Sequence, residues 1–495
     1  MAQNATEAAT QFSSQSERQR WIALIVLCAG FLMIILDQTI VNVALPSIQT
    51  DLHFSQSNLA WVVNAYLIAF GGLLLLVGRL GDLIGRKRIF LVGLTIFTLA
   101  SMLCGVANSQ GLLIGARFVQ GIGGAMTSAV ILGMIVTMFT DAREQAKAIG
   151  VFSFVASAGA SIGLLAGGII TQAVSWHWIF FVNLPIGVVI AVLAIRILES
   201  DRGIGLDQGA DVMGAVLVTA GLMLGVYTIV QSADYGLLST HTLGFGGVAV
   251  ILLAAFLVRQ AKGRNPLLPL RLFLVPNVSA ANAIQAIGGV AMFGFFFFSS
   301  LYMQRVLGYG PLTIGVAFLP VAVVMGTLSI AVTDRLIMRF GARNVLLVGF
   351  GLISLALLLA ARTPVSGDYL RNWFPVFTLL GMGGGLAFPS LAVVAMAGAS
   401  PNDAGLASGL LNTTGQVGAA LGLAVLATVS TNRTSELIGQ GQSAVAALSG
   451  GYHLAWAIGA GLAIASIVLA ATLLKSNTSV SNDTAIDEGE EEASA

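Results

Sequence analysis

Charge is what this sequence has least of. Asp, Glu, Lys and Arg make up 9% of its 495 residues and hydrophobic types 57%, whereas soluble domains are about 25% charged. So little charge excludes an ordinary soluble domain and indicates a polytopic membrane protein. A net charge of +1 excludes a general attraction to nucleic acid. The two cysteines, Cys28 and Cys104, both fall in apolar stretches; they exclude a disulfide framework or a thiolate metal site and read as buried packing. The four histidines are scattered, and no His, Cys or Glu cluster offers metal ligands or a catalytic centre. No metal or organic cofactor is therefore expected. The glycine-rich runs GIGGA (Gly121 to Ala125) and GMGGG (Gly381 to Gly385) cannot be phosphate loops, because they lie inside apolar stretches with no preceding strand and no Lys-Ser/Thr.

Long apolar runs are what is abundant. A bilayer core takes about 20 apolar residues per helix. That ruler lays out fourteen spans, at 22–46, 59–80, 89–107, 111–138, 147–173, 177–196, 212–231, 243–260, 279–303, 312–333, 345–362, 373–397, 405–430 and 453–474. The expected fold class is an all-α polytopic membrane protein. Arg305, Arg362, Arg371 and Arg433 fall outside, Arg117 lies within a span, and the other eighteen of the twenty-three basic residues share the side of the N-terminus. That asymmetry places both termini in the cytoplasm. The first twenty residues are polar and no small-residue cleavage site follows the first span, which is expected to be a retained signal anchor. The acidic tail (Asp483, Asp487, Glu488, Glu490, Glu491, Glu492) lacks apolar periodicity and reads as a solvated end.

The first and last six spans echo each other at an offset of 256–260. Gly78-Arg79-Leu80 with Gly85-Arg86-Lys87-Arg88 is matched by Asp334-Arg335-Leu336 with Gly341-Ala342-Arg343, and Gly121-Ile122-Gly123-Gly124 by Gly381-Met382-Gly383-Gly384. Duplicated six-helix halves are a transporter plan, with the substrate site near the midplane where the halves face. The chain divides into a tail (1–20), a six-helix bundle (21–198), an inserted helix pair with its loops (199–264), a second six-helix bundle (265–474) and a tail (475–495). The inserted pair has no counterpart in either half and reads as packing.

Of the twenty-two acidic residues, only Asp37 lies well inside a membrane-length apolar stretch, Trp21 to Pro46. A carboxylate at that depth costs on the order of a few kcal/mol and usually handles ions or protons. Asp37 lies nine residues before Pro46, about 14 Å below the outer end at about 1.5 Å per residue. Arg117 sits about 10 Å down its own span by the same rise, so the two can share a depth. Burial favours the neutral acid and a neighbouring guanidinium the charged form; a carboxylate balanced between them can load and release a proton as helices move. The alternative is a permanent ion pair that holds two helices together. Gln38, Asn42, Asn64 and Gln120 are candidate polar neighbours, for which interhelical hydrogen bonding competes with substrate contact.

Three further patterns carry candidates. In Gly78 to Arg88 the glycines permit a tight reversal, and Asp82 can bond backbone donors at a helix N-terminus; the basic residues also fix topology. In the fifth span Gly150, Gly159, Gly163, Gly167 and Gly168 let neighbouring helices approach closely. In the ninth span GFFFF (Gly294 to Phe298) follows Asn282 and Gln285. One or two of its rings, Phe296 the candidate, can line a pocket for lipophilic cations, while the rest pack or face lipid.

These residues resemble the major facilitator superfamily. GRLGDLIGRKR (Gly78 to Arg88) is similar to its loop signature between the second and third helices, and RFVQGIGGA (Arg117 to Ala125) to its fourth-helix motif. Two added helices between the halves, with LDQTIVNVALP (Leu36 to Pro46), look like its fourteen-helix branch, the drug:proton antiporter-2 family. WHWIFFVNLPIG (Trp176 to Gly187) and GLASGLLNTTGQVGAALG (Gly405 to Gly422) also look like that branch, although His177 replaces its usual arginine. The glycine ladder keeps the antiporter spacing, with Leu164 where proline is expected. The resemblance implies proton coupling through Asp37 and Arg117 and a cytoplasmic latch built on Asp82 and Arg79 with Gly78, Gly85 and Arg86. It also implies a link between the ladder and antiport direction, which ordinary close packing rivals.

The expected function is secondary export of lipophilic, cationic compounds in exchange for protons, by a monomer in a bacterial cytoplasmic membrane, with the proton gradient as energy source. Gln38, Asn42, Asn64, Gln120, Asn282, Gln285, Phe296, Asn412 and Gln416 are candidates for the substrate cavity. The partners expected are a small-molecule lipophilic substrate, protons and the lipid bilayer, with no nucleic acid. Export of one metabolite or antibiotic is the nearest alternative. A membrane-embedded sensor is another, though the chain has no sizeable soluble segment; a membrane enzyme is disfavoured by the absence of a catalytic cluster.

Overall fold

A computed structural model describes residues 16–474 apart from 140, 200, 202, 204, 206–208, 237, 264–265, 269 and 398–403, and leaves undescribed the side chains of 56, 142–143, 146, 149–150, 153–154, 156–158, 160–161, 233–234, 397, 404–406 and 408. The acidic tail and nearly all of the N-terminal tail lie outside the described residues. Fourteen helices of membrane length run in order: α1 (Glu17–Asp51), α2 (Gln56–Ile84), α3 (Arg86–Gly105), α4 (Gln110–Met138), α5 (Ala142–Ala173), α6 (Trp178–Ile197, with a turn at Val182), α7 (Val212–Tyr235), α8 (Thr240–Lys262), α9 (Pro276–Arg305), α10 (Pro311–Ala331), α11 (Ala342–Ala360), α12 (Phe374–Ala397), α13 (Ala404–Gly439) and α14 (Ala444–Leu473). Thirteen are apolar enough over their described residues to cross a membrane, and α5 contributes a shorter apolar part, Ile162–Ala173. No strand occurs among the described residues.

Local chemistry sets the helix ends. Serines at 16, 55, 109, 239 and 443 accept hydrogen bonds from the free N–H groups of the first turns of α1, α2, α4, α8 and α14, and Pro276 and Pro311 open α9 and α10, where a missing donor costs nothing. Gly85 and Gly341, which the repeat aligns, turn the chain at φ +114° and +79°, a region closed to most side chains. Gly85 joins α2 directly to α3, whereas Gly341 joins α11 to a short helix, Thr333–Phe340, that follows α10. The repeat extends to close packing: a Cβ on Gly123 would strike the backbone N of Phe97, and one on Gly383 would lie 2.7 Å from the Gly349 carbonyl. Apolar patterning alone understates α13 and α14, which continue through polar residues to Gly439 and start at Ala444.

In the first half α4 packs against α2 and α3, and α1 against α5; in the second α12 packs against α10 and α11, and α14 against α9 and α11. The halves meet along two seams, α5 with α10 and α2 with α13. Helix α7 lies against both α2 and α13, and α8 packs on α7, so the inserted pair covers one seam. The start of α1, the end of α14 and the α2–α3 junction with Arg86, Lys87 and Arg88 share one face, called basic below, and the other is the opposite face.

Candidate functional site

Five helices place polar side chains around Asp37 in an apolar interior. Asp37, Arg117, Gln120, Asn183 and Ser101 are each at most 2% exposed, so every polar atom there must find a partner within the protein. Arg117 Nη1 donates to Asp37 Oδ2 at 2.6 Å and to Gln120 Oε1 at 2.6 Å, while its Nε donates to the Val62 carbonyl at 3.0 Å. Its guanidinium carbon lies 4.4 Å from the centre of the Tyr66 ring, a cation–π contact. The other carboxylate oxygen, Oδ1, accepts from Gln120 Nε2 at 2.7 Å and Asn183 Nδ2 at 3.1 Å. Both amide nitrogens also donate to Ser101 Oγ, at 2.8 and 3.3 Å, and that hydroxyl donates to the Phe97 carbonyl at 2.7 Å.

Sequence reasoning singled out Asp37, Arg117 and Gln120 but not Asn183, Ser101 or Tyr66. Asn183 stands inside the Trp176 to Gly187 motif as a polar residue in an apolar stretch, which does not by itself place it beside a carboxylate. Gln38 is half-buried and donates to Tyr66 Oη at 3.4 Å, and Asn42 donates to the Gln38 carbonyl at 3.2 Å. Asn64 is fully buried, and neither side-chain atom has a hydrogen-bond partner among the described residues. It lies on the α2 face that carries Gly71, where an added Cβ would come within 2.9 Å of Gln416 Cβ on α13. Gln416 Oε1 and Thr413 Oγ1 are likewise buried without partners among the described residues.

The Gly78 to Arg88 segment departs from expectation. Helix α2 runs on to Ile84, so Gly78 is helical, with open space around it, and Gly85 alone makes the reversal. The apolar side chains of Leu80, Leu83 and Ile84 carry the helix past the expected end. Asp82 does not cap a helix: it accepts from Arg86 Nε at 3.2 Å and Nη2 at 2.9 Å. Arg86 Nη1 reaches on to the Gly133 carbonyl of α4 at 2.8 Å. Arg79 is half-buried and makes no hydrogen bond or ion pair among the described residues. The cap on α3 comes from Asp201, in the linker to α7, which accepts from the Arg86 and Lys87 N–H groups at 2.7 and 3.2 Å.

On α5 the ladder serves two neighbours. Cβ atoms on Gly159, Gly163 and Gly167 would collide with Leu32, Thr39 and the Ile40 carbonyl of α1, and one on Gly168 with the Pro311 carbonyl at the start of α10. Gly150 belongs to α5, but its surroundings lie outside the described residues. Leu164 keeps the helix unbroken from Ala142 to Ala173, and its carbonyl would lie 2.7 Å from a Cβ on Gly315 of α10.

In the second half the repeat puts Phe377 where the first has Arg117, and Phe377 packs edge-on against Phe295 at 5.7 Å and tilted against Phe318 at 5.0 Å. Phe295, Phe297 and Phe298 are buried, and Phe296 is half-buried beside Phe318 at 5.5 Å. Asn282 is buried and accepts from Thr414 Oγ1 at 2.8 Å, an interhelical bond from α13 to α9. Gln285 is half-buried at the same contact, and Asn412 is exposed.

Residues 27–423 match the family model described as Major Facilitator Superfamily. The chain is 37% identical over 474 residues to the puromycin resistance protein pur8 of Streptomyces alboniger, covering 94% of this chain and 93% of that one. It is 38% identical to the cephamycin export protein CmcT of Amycolatopsis lactamdurans, over 83% and 85% of the two chains. It is 31% identical to the multidrug resistance protein Stp of Mycobacterium tuberculosis, over 83% and 76%. Among solved structures it superposes on a bacterial homologue of the human lysosomal transporter Spinster at a TM-score of 0.67 and 16% identity, covering 94% of this chain and 100% of that one. The POT family transporter PepTSo gives a TM-score of 0.67 at 14% identity, over 92% and 97%.

Proposed function

This chain belongs to the Major Facilitator Superfamily, and on that premise we propose that it is a proton-coupled secondary transporter that exports lipophilic, cationic compounds. The observation that carries this reading is Asp37. Among the described residues the one other buried carboxylate, Asp211, caps a helix end, whereas Asp37 lies mid-helix and is paired with Arg117. A proton and a cationic substrate compete for one carboxylate, and that competition couples their opposite movements. The basic face is cytoplasmic, as the Lys and Arg asymmetry supports, and the protein works as a monomer in a bacterial cell membrane. Transport needs no chemistry on the substrate, so the protein is not an enzyme, and it uses no cofactor beyond the proton gradient.

The test is proton release from energised inside-out vesicles on adding a panel of lipophilic cations. Wild type collapses the gradient and Asp37→Asn does not. Equal collapse in both removes Asp37 from coupling. The relatives named for puromycin and cephamycin favour a second reading, a dedicated antibiotic exporter. It is the better one if the cations are silent and one antibiotic alone drives proton release.

A further inference from the structure

We propose that Asn183, backed by Ser101, is a positioning residue that fixes which oxygen of Asp37 accepts the proton. The proposal rests on the proton-coupled reading above. Asp37 Oδ1, Gln120 Nε2, Ser101 Oγ and Asn183 Nδ2 form a closed ring of four hydrogen bonds. Each amide nitrogen spends both of its hydrogens in the ring, one on Asp37 and one on Ser101. The Ser101 hydroxyl accepts both and sends its own hydrogen out to the Phe97 carbonyl. Oδ1 therefore has two donors pointed at it and no room for a third hydrogen. Among the described residues Oδ2 has one donor, Arg117 Nη1.

The proton goes to Oδ2, converting the carboxylate to a neutral acid and displacing Arg117 Nη1 from it. Arg117 keeps its own proton and charge. It is still held by the Gln120 oxygen, by the Val62 carbonyl and by the Tyr66 ring, two of which belong to α2. Proton uptake thus loosens α1 from Arg117 while the guanidinium stays with α2, the helix that forms a seam with α13. The titratable groups that face Asp37 are Arg117 from α4, Tyr66 from α2 and Cys104 from α3. From α6 comes the neutral Asn183; α5, α9 and α10 carry no titratable side chain at this depth.

The readout is the infrared carboxyl band of protonated Asp37 in the purified protein, assigned by its loss in Asp37→Asn and titrated with pH. Removing a donor from the charged form makes the acid easier to protonate. In Asn183→Leu, which fills the volume without a donor, the band's midpoint rises by about one pH unit, the size of one charge-assisted hydrogen bond. Ser101→Ala, a smaller change that also serves if Asn183→Leu fails to fold, moves it the same way by less. In vesicles the pH of half-maximal exchange moves with the band. An unchanged midpoint in both variants, with slower flux at every pH, would make Asn183 a packing residue and end the proposal. A midpoint that moves while flux ignores the proton gradient keeps the positioning role and removes instead the coupling assigned to Asp37. A band that never appears means a permanently charged Asp37 and overturns both.

Discussion

A guanidinium at position 117 makes contacts that an ammonium cannot, since its planar fork reaches Asp37, Gln120 and the Val62 carbonyl together. Arg117→Lys keeps the charge but loses the link to α2. Arg117→Met leaves Asp37 buried and unpaired, a loss of about 3–5 kcal/mol. Adding Asp37→Asn to Arg117→Met removes the stranded charge and recovers most of that loss. Thermal unfolding in detergent reads this as strong non-additivity; additive losses would mean that the two residues do not depend on each other. Asp37 and Arg117 were legible in the sequence because charge inside an apolar run has few explanations. Asn183 and Ser101 were not: Asn and Ser are common in membrane helices, and only the folded arrangement puts them beside a carboxylate.

At the scale of helices, the same residue type does different work. Gly167 lets α5 touch α1, where an added Cβ would sit 2.7 Å from the backbone carbonyl of Ile40; a Cβ added at Gly78 would meet no other element within 4 Å among the described residues. Gly167→Ala must push the helices apart and costs about 1–3 kcal/mol. Gly78→Ala meets no obstacle and gains up to about 1 kcal/mol of helix propensity. Melting temperatures that fall for the first and hold or rise for the second support this division; equal falls would contradict it. Sequence spacing found both glycines, yet it could not separate a close approach from an open helix position. The same limit explains Arg79 and Arg86. Both are basic residues near Asp82, and the choice between them depends on where α2 ends. Because Gly85 makes the turn, Arg86 opens the next helix and swings back to Asp82 and Gly133. Asp201 was invisible as a cap, since it reaches α3 from a polar linker more than a hundred residues away.

The inserted pair shows how local bonds serve the whole. Asp211 caps α7 and accepts from Arg259 and Gln260 at the far end of α8, closing the hairpin at the basic face. Burial pushes its carboxyl up, but the hydrogen bonds from Arg259, the Gly214 N–H and Gln260, with the Arg259 charge, outweigh burial and hold it below the usual carboxylate range. A lowered value means that this stabilisation is present above that range and lost as pH falls through it. Asp211→Asn therefore melts below wild type at neutral pH, and the gap closes in acid; a gap independent of pH would exclude the ionised carboxylate as its source.

The two halves are also tied at the opposite face. Arg305, at the end of α9, donates to Gln49 Oε1 at 3.0 Å and Thr50 Oγ1 at 3.3 Å at the end of α1, and Gln172 of α5 accepts from the Leu312 N–H of α10 at 3.0 Å. In alternating access one half rocks against the other around a fixed site, so these contacts must part once in every cycle. Cysteines at positions 49 and 305, joined by a cleavable bifunctional maleimide, should arrest export, and cleaving the linker should restore it. The native Cys28 and Cys104 are buried and leave little background. Buried pairs such as Asp37 with Arg117 would be unaffected by the reagent, so an arrest reports the relative motion of the halves and not damage around Asp37. Continued export by fully joined protein would mean that the halves stay together at this face, and that the substrate leaves by a route other than the cleft between them.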